Sequence, residues 1–303
     1  MAEDELRPNG SEERVAAEVS LARRVLNVRT IGSLIFAIVL IALLVRAVGA
    51  NLDETLATIA RANPLLLVAA FVAYYLTFPL RGFRWNYILG RVGTHVPYAA
   101  ATEILFLSWF VNCVVPAKLG DVYRAYLLKA NFRASISRTL GTVFIERIAD
   151  IVVIFGLALA AGFWSFRGRN RPEVDALFLA GFAFAVVLVL LVIGLRFFGL
   201  HLTRFLPARV ADLYERFHEG STGALTTRSI PLIIGVTGLI WLLEGVRLYF
   251  VIHALNLSGI GLGISSSVFV ALGAALLTAI PLTPGGMGFV QAGVVGLLGI
   301  YGV

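Results

Sequence analysis

Long apolar runs, separated by short polar stretches, set the pattern of this chain. Eight runs stand out: Ile31–Ala50, Leu65–Leu80, Tyr98–Val115, Leu140–Trp164, Ala176–Leu195, Pro231–Leu255, Ile264–Ile280 and Gly286–Val303. Several reach the ~20 residues a helix needs to cross a ~30 Å hydrocarbon core. None alternates apolar and polar residues with period two, which excludes a transmembrane β-barrel. The pattern predicts an all-α, polytopic integral membrane protein of about eight apolar segments. Two intervening stretches have helical spacing with basic residues between apolar ones. In Tyr123–Arg138, Tyr126, Leu127 and Leu128 alternate with Arg124, Lys129 and Arg133. In His201–Ser229, Leu206, Val210, Leu213 and Phe217 alternate with Arg204, Arg209 and Arg216. The second predicts either an amphipathic helix on the inner leaflet or a connector packed on its neighbours.

One phrase occurs twice. Residues 115–121 read Val-Pro-Ala-Lys-Leu-Gly-Asp, and residues 280–286 read Ile-Pro-Leu-Thr-Pro-Gly-Gly. Each is an apolar residue followed by Pro-x-x-x-Gly, directly after an apolar run. Pro and Gly end helices, and a helix end inside a bilayer leaves backbone groups without water. Such a break persists only where protein buries it or a polar cavity lines it. Two breaks in corresponding halves predict broken or re-entrant helix pairs at Pro116 and at Pro281–Gly288, meeting at a transport site. Asn112, four residues before Pro116, is placed to cap the groups freed there.

Residues 1–29 are mainly polar and precede the first apolar run, and no small-residue cleavage site follows it. This excludes a secretory signal peptide and predicts a retained signal anchor. The expected organisation is a polar cytoplasmic segment, 1–29, and a single membrane domain, 30–303. The end at Tyr301-Gly302-Val303 has no polar flank and reads as a fragment of a longer chain or a form lacking later helices. With the N-terminus inside, eighteen Lys and Arg fall on the cytoplasmic side, among them Arg81, Arg84, Lys118 and Arg124. Five fall outside: Arg46, Arg61, Arg167, Arg169 and Arg171. The bias follows the positive-inside rule and predicts a multi-pass protein of the plasma membrane.

Composition agrees: 59% of residues are hydrophobic and 14% charged, against about 45–50% and 25% in soluble proteins. The net charge of +7 fits basic loops against anionic lipid and calls for no nucleic acid. Cys113 is the only cysteine. It is read as a small apolar packing residue, and a disulfide or zinc cluster is excluded. No cofactor is expected.

Ionisable residues inside apolar segments are costly, ~2.5–3.5 kcal/mol each on insertion scales, and face a bundle interior or water. The candidates are Glu103; Asp121 and Arg124; Glu146, Arg147 and Asp150; and Glu244, Arg247 and His253. Glu146 and Asp150 share a helix face, and Arg147 can bridge to Asp150. Glu244 and Arg247 are likewise three apart. Two readings fit these pairs: charges that satisfy only each other, or a lining for an anionic headgroup that an arginine fork grips in two-pronged fashion. Pro284, Gly285, Gly286 and Gly288 would let backbone approach a ligand closely. The half-helix after Gly288 would offer it free N–H groups. Gln291 either binds a headgroup or pairs with loose backbone.

Four stretches carry a resemblance: Arg81–Leu89 (RGFRWNYIL), Asn112–Leu127 (NCVVPAKLGDVYRAYL), Glu146–Asp150 (ERIAD) and Pro281–Gly293 (PLTPGGMGFVQAG). The chain resembles the flippase-like membrane domain that begins lysylphosphatidylglycerol synthases and also occurs alone in bacterial and archaeal proteins. The resemblance implies movement of a phospholipid or polyprenyl-linked lipid between leaflets. It carries over Arg84, Trp85, Asn112, Pro116, Gly120, Asp121, Arg124, Glu146, Arg147, Asp150, Pro284, Gly285, Gly286 and Gly288. The family often has Glu where this chain has Gln291, and no aminoacyltransferase domain is recognisable. The leading expectation is therefore a flippase-type translocator, not an enzyme, with anionic phospholipid or polyprenyl-phosphate-linked lipid as its partner. The alternatives are a transferase-type membrane enzyme using Glu146 and Asp150 on a lipid-linked substrate, and a non-catalytic membrane partner. No G-x-x-x-x-G-K-[ST] phrase occurs, so ATP is not expected as the driver.

Overall fold

The computed structural model describes residues 52–115, 118–167, 172–199, 207–256, 262–277 and 286–301, with residue 203 and scattered residues between 35 and 46. The expectations for residues 1–29, for most of Ile31–Ala50, and for Pro116, Pro281, Pro284 and Gly285 lie outside the described residues. Ten helices are described: α1 Leu52–Ala60, α2 Pro64–Arg91, α3 Tyr98–Val114, α4 Leu119–Phe132, α5 Ile136–Ser165, α6 Pro172–Phe198, α7 Ala208–Thr222, α8 Ser229–Ala254, α9 Ile264–Leu277 and α10 Phe289–Gly299. The chain is an all-α membrane protein, with no strand among the described residues.

Pro64–Arg91, Gly181–Phe198 and Ser229–Ala254 are long and apolar enough to cross a membrane. At 1.5 Å per residue, α9 and α10 are only about 21 and 16 Å long, short of a ~30 Å core, as halves of a broken pair would be. Large apolar side chains stay exposed along these helices, including Leu65, Val68, Phe71 and Val72 on α2 and Leu190, Phe197 and Phe198 on α6. In water such a belt would be a liability; against acyl chains it is the lipid-facing surface.

Asn63 caps α2, its Oδ1 accepting from the N–H groups of Leu65 and Leu66 at 3.0 and 3.4 Å. The Asn63 N–H also donates to the Ala254 carbonyl at 2.8 Å. Far along α2, Arg91 Nη2 donates to Thr226 Oγ1 at 3.2 Å. α2 and α8 therefore run antiparallel, and α5 packs against both. The two hairpins, α3–α4 and α9–α10, each pack on α5 through one arm, α4 and α9.

A close crossing explains one of the two polar linkers. Gly141 and Gly220 let α5 and α7 meet backbone to backbone, since a Cβ on Gly220 would overlap the Arg138 carbonyl. So α7 is a packed connector, burying His218, Gly220 and Ser221. It leaves Val210 and Leu213 outward, and Arg209 and Arg216 are exposed as well.

Three expectations need correction. The second apolar run does not end at Leu80: the helix continues to Arg91, and Arg81 and Arg84 are buried in the bundle, not in a cytoplasmic loop. Arg124, also counted as a loop residue, is buried too. A charge ends an apolar run in sequence, but a helix continues if interior partners take up that charge. Glu103 and His253 are exposed: Glu103 lies on the face of α3 opposite buried Ala101 and Leu105, and His253 is in the last turn of α8. Cys113 is exposed and packs in no core.

Candidate functional site

Four helices aim polar side chains at one interior point. On α2, Thr77, Arg81, Arg84, Trp85 and Ile88 recur at spacings of three and four and form one buried stripe. On α5 the matching stripe is Thr139, Thr142, Glu146 and Asp150, all buried. α8 contributes Thr237 and Trp241, and α4 contributes Asp121 and Arg124.

Arg84 is the hub. Its Nη1 donates to Asp150 Oδ1 at 2.6 Å and to Thr237 Oγ1 at 2.7 Å. Its Nε donates to Glu146 Oε1 at 3.3 Å. Glu146 is shared, since its Oε2 accepts from Arg124 Nη2 at 2.7 Å. Asp150 also accepts from Trp241 Nε1 at 3.1 Å. Arg147 grips Asp121 in a two-pronged pair, at 2.9 and 3.1 Å, and reaches Asp150 at 3.6 Å. The Arg84, Glu146, Asp150 and Arg124 side chains are at most 4% exposed, whereas Arg147 is 32% exposed. Arg124 Cζ lies 4.4 Å from the Trp85 ring centre, and Trp85 Nε1 donates to Thr142 Oγ1 at 3.2 Å. The aromatic face and the threonine thus hold the guanidinium in place.

Asp121, Arg124, Glu146, Arg147 and Asp150 are therefore brought together, with Arg84 at their centre. The local pairing of Arg147 with Asp150 is present but long, and the shorter partner, Asp121, comes from another helix. Arg247 and Glu244 pair at 2.9 Å as their spacing suggests, with Arg247 Cζ 5.2 Å from the Tyr74 ring centre. This pair joins no hydrogen bond with Arg84, Arg124 or Arg147 among the described residues.

Two amides have backbone duties. Asn112 Oδ1 accepts the Gly120 N–H at 2.8 Å, and Ser108 Oγ donates to the Gly120 carbonyl at 2.8 Å. Together they stitch α3 to the start of α4 across the first break. A Cβ on Gly120 would overlap the Ser108 carbonyl oxygen, so only glycine fits there. At the second break, Gln291 Oε1 accepts the Gly288 N–H at 2.7 Å. Gly286 and Gly288 have φ of 74° and 79°, the left-handed region where glycine alone is unstrained.

The residue that spacing did not single out is Arg81. Its guanidinium carbon lies 4.9 and 5.0 Å from the ring centres of Trp109 and Trp241. The available signal was its place three residues before Arg84 on one helical face, masked because a run-based reading stops at Leu80.

Residues 30–303 match the family described as the lysylphosphatidylglycerol synthase TM region. A UPF0104 membrane protein of Methanocaldococcus jannaschii is 36% identical over 189 residues, 62% of this chain and 79% of that protein. A UPF0104 membrane protein of Methanothermobacter thermautotrophicus is 25% identical over 88% of this chain and 83% of its own length. The glycosyltransferase AglD of Haloferax volcanii is 35% identical over 106 residues, 35% of this chain but only 17% of that protein. No solved structure matches.

Proposed function

From the premise that this chain belongs to the lysylphosphatidylglycerol synthase TM-region family, we propose that it translocates an anionic lipid between the leaflets of the plasma membrane. The lipid is a phospholipid or a polyprenyl-phosphate-linked one, and the N-terminus is cytoplasmic. The observation that carries this reading is the polar cluster itself: Arg84, Arg124, Arg147, Asp121, Glu146 and Asp150 interlocked inside a membrane bundle. A bundle held by packing alone has no use for six ionised groups at that cost.

The chemistry assigns unequal roles. Arg84 holds Asp150 and Glu146, Arg124 holds Glu146, and both tie helices together. Arg147, partly exposed and joined to Asp121 by a fork, can exchange that carboxylate for a phosphate of similar geometry. Arg247, 43% exposed, is a second accessible cation. The headgroup follows these cations while the tails stay in lipid along the exposed apolar belt. The drive is passive or comes from protons or the membrane potential.

A leaflet-exchange assay tests this. Purified full chain goes into liposomes with a fluorescent phosphatidylglycerol, and outer-leaflet label is quenched chemically. Wild type accelerates loss of the inner-leaflet pool, and Arg147→Ala slows it at least tenfold. Unchanged leaflet distribution with wild type, or equal rates for the two proteins, refutes the reading. The AglD likeness favours one other reading, a transferase acting on a lipid-linked substrate. A covalently altered lipid product, found by mass spectrometry, would support it.

A further inference from the structure

Each arginine at the centre of the cluster but one holds a carboxylate. Arg81 is 2% exposed, and its Nε and Nη2 are buried with no hydrogen-bond partner. Among the described residues it makes no ion pair, while Arg84, Arg124 and Arg147 each do. Counting those four arginines against Asp121, Glu146 and Asp150 leaves one positive charge over. An unpaired guanidinium in a protein interior is among the costliest arrangements a fold can hold.

The contacts that Arg81 does make leave its donors free. Trp109 of α3 and Trp241 of α8 present their rings to the guanidinium carbon. A ring contact is not a conventional hydrogen bond, so the N–H donors of Nε and Nη2 stay unmatched beside the two rings. The rings therefore hold the cation in position without consuming what binds an anion. Glu244, which would repel an anion, is engaged by Arg247 at 2.9 Å. Arg247, which is partly exposed, has its guanidinium carbon 5.2 Å from the Tyr74 ring centre.

We infer that Arg81, held between Trp109 and Trp241, is a phosphate-binding site: its free N–H donors take the oxygens of a phosphate group, carried on a lipid or free. Arg84, three residues along the same helix and held by Asp150 and Glu146, stands beside it. In the lipid-borne form this inference rests on the translocator reading and names the group that receives the headgroup. Fork geometry matches two phosphate oxygens, and the interior multiplies the strength of each charge-assisted bond.

The test uses the purified full chain in neutral detergent micelles, with the tryptophan fluorescence of Trp109 and Trp241 among its reporters. Three probes are titrated: short-chain phosphatidylglycerol, the corresponding diacylglycerol without phosphate, and inorganic phosphate. Wild type responds to phosphatidylglycerol and not to diacylglycerol. Arg81→Gln weakens phosphatidylglycerol binding by about tenfold or more, a loss that two charge-assisted bonds readily account for. Without lipid this variant melts above wild type, because an unpaired charge has been removed. If it fails to fold, Arg81→Lys serves instead: it keeps the charge, loses the fork and binds several-fold more weakly. A response to phosphatidylglycerol alone assigns a lipid-borne phosphate; saturation by inorganic phosphate as well assigns free phosphate. Equal responses to diacylglycerol and phosphatidylglycerol overturn the inference, as does wild-type affinity in the folded variants.

Leaflet exchange separates the two readings. If wild type moves lipid and Arg81→Gln moves it equally fast, this site is wrong and translocation stands. If wild type moves nothing but binds phosphatidylglycerol in an Arg81-dependent way, translocation is wrong and the site stands.

Discussion

Replacing Asp150 by Asn removes one charge from the network while changing its shape little. Asp150 is 3% exposed. It accepts from Arg84 at 2.6 and 3.4 Å and from Trp241 at 3.1 Å, and it faces Arg147 at 3.6 Å. Asn keeps one acceptor oxygen, but its amide N–H groups then face guanidinium donors. Arg84 is left with Glu146 at 3.3 Å and Thr237 at 2.7 Å, and the positive excess of the interior grows from one to two. Breaking a buried pair on one side costs about 3–5 kcal/mol, and the retained oxygen places Asp150→Asn at the lower end. Arg84→Gln should cost a similar amount by stranding the carboxylates. The double variant restores the balance, so its loss falls short of the sum by about 1–3 kcal/mol. The assay is reversible unfolding of purified protein in mixed micelles, titrated with SDS and followed by circular dichroism. A loss below about 1 kcal/mol for Asp150→Asn, or strict additivity of the two variants, would show that the network carries no interior charge energetics.

Two smaller predictions use the same unfolding assay. Gly120→Ala drives a methyl group into the Ser108 carbonyl, so it should lose about 1–3 kcal/mol by overpacking; wild-type stability would mean that α3 and α4 lie further apart. Arg138→Ala removes a 2.6 Å pair with Glu219 whose side chains are 35% and 56% exposed, and it should cost less than about 1 kcal/mol because water screens the pair.

How much of this is legible in the sequence differs by element. Seven apolar runs each overlap a helix, Tyr98–Val115 and Pro231–Leu255 to within two residues at either end and the others less closely, because length and uniform hydropathy suffice to mark a span but not its ends. Helix α1 was not foreseen: Leu52–Ala60 is nine residues with Asp53 and Glu54 in its first turn, too short and polar to register. The end of α2 was misplaced because Arg81 and Arg84 look like a boundary to any reading that treats charge as surface. Only the partner helices show otherwise, and α5 lies more than sixty residues away in sequence. Local pairs such as Glu244–Arg247 were readable from spacing. Long-range ones, Arg84 with Asp150 or Arg147 with Asp121, were not, since spacing reports nothing beyond one helix. Asn112 stands four residues before Pro116 in sequence, and the structure supplies its partner, the Gly120 N–H. Gln291 turns out to cap backbone, one of its two expected roles.

The central claim is that a phosphate-bearing headgroup enters the bundle at the buried arginine cluster. A density map of the full chain in a nanodisc of phosphatidylglycerol tests it most directly. The account predicts a headgroup phosphate between Trp109 and Trp241, its oxygens about 2.7–2.9 Å from the Arg81 guanidinium nitrogens. Lipid confined to the outer belt around Phe71 and Phe198, with the two tryptophans closed over an Arg81 that touches no anion, would contradict it.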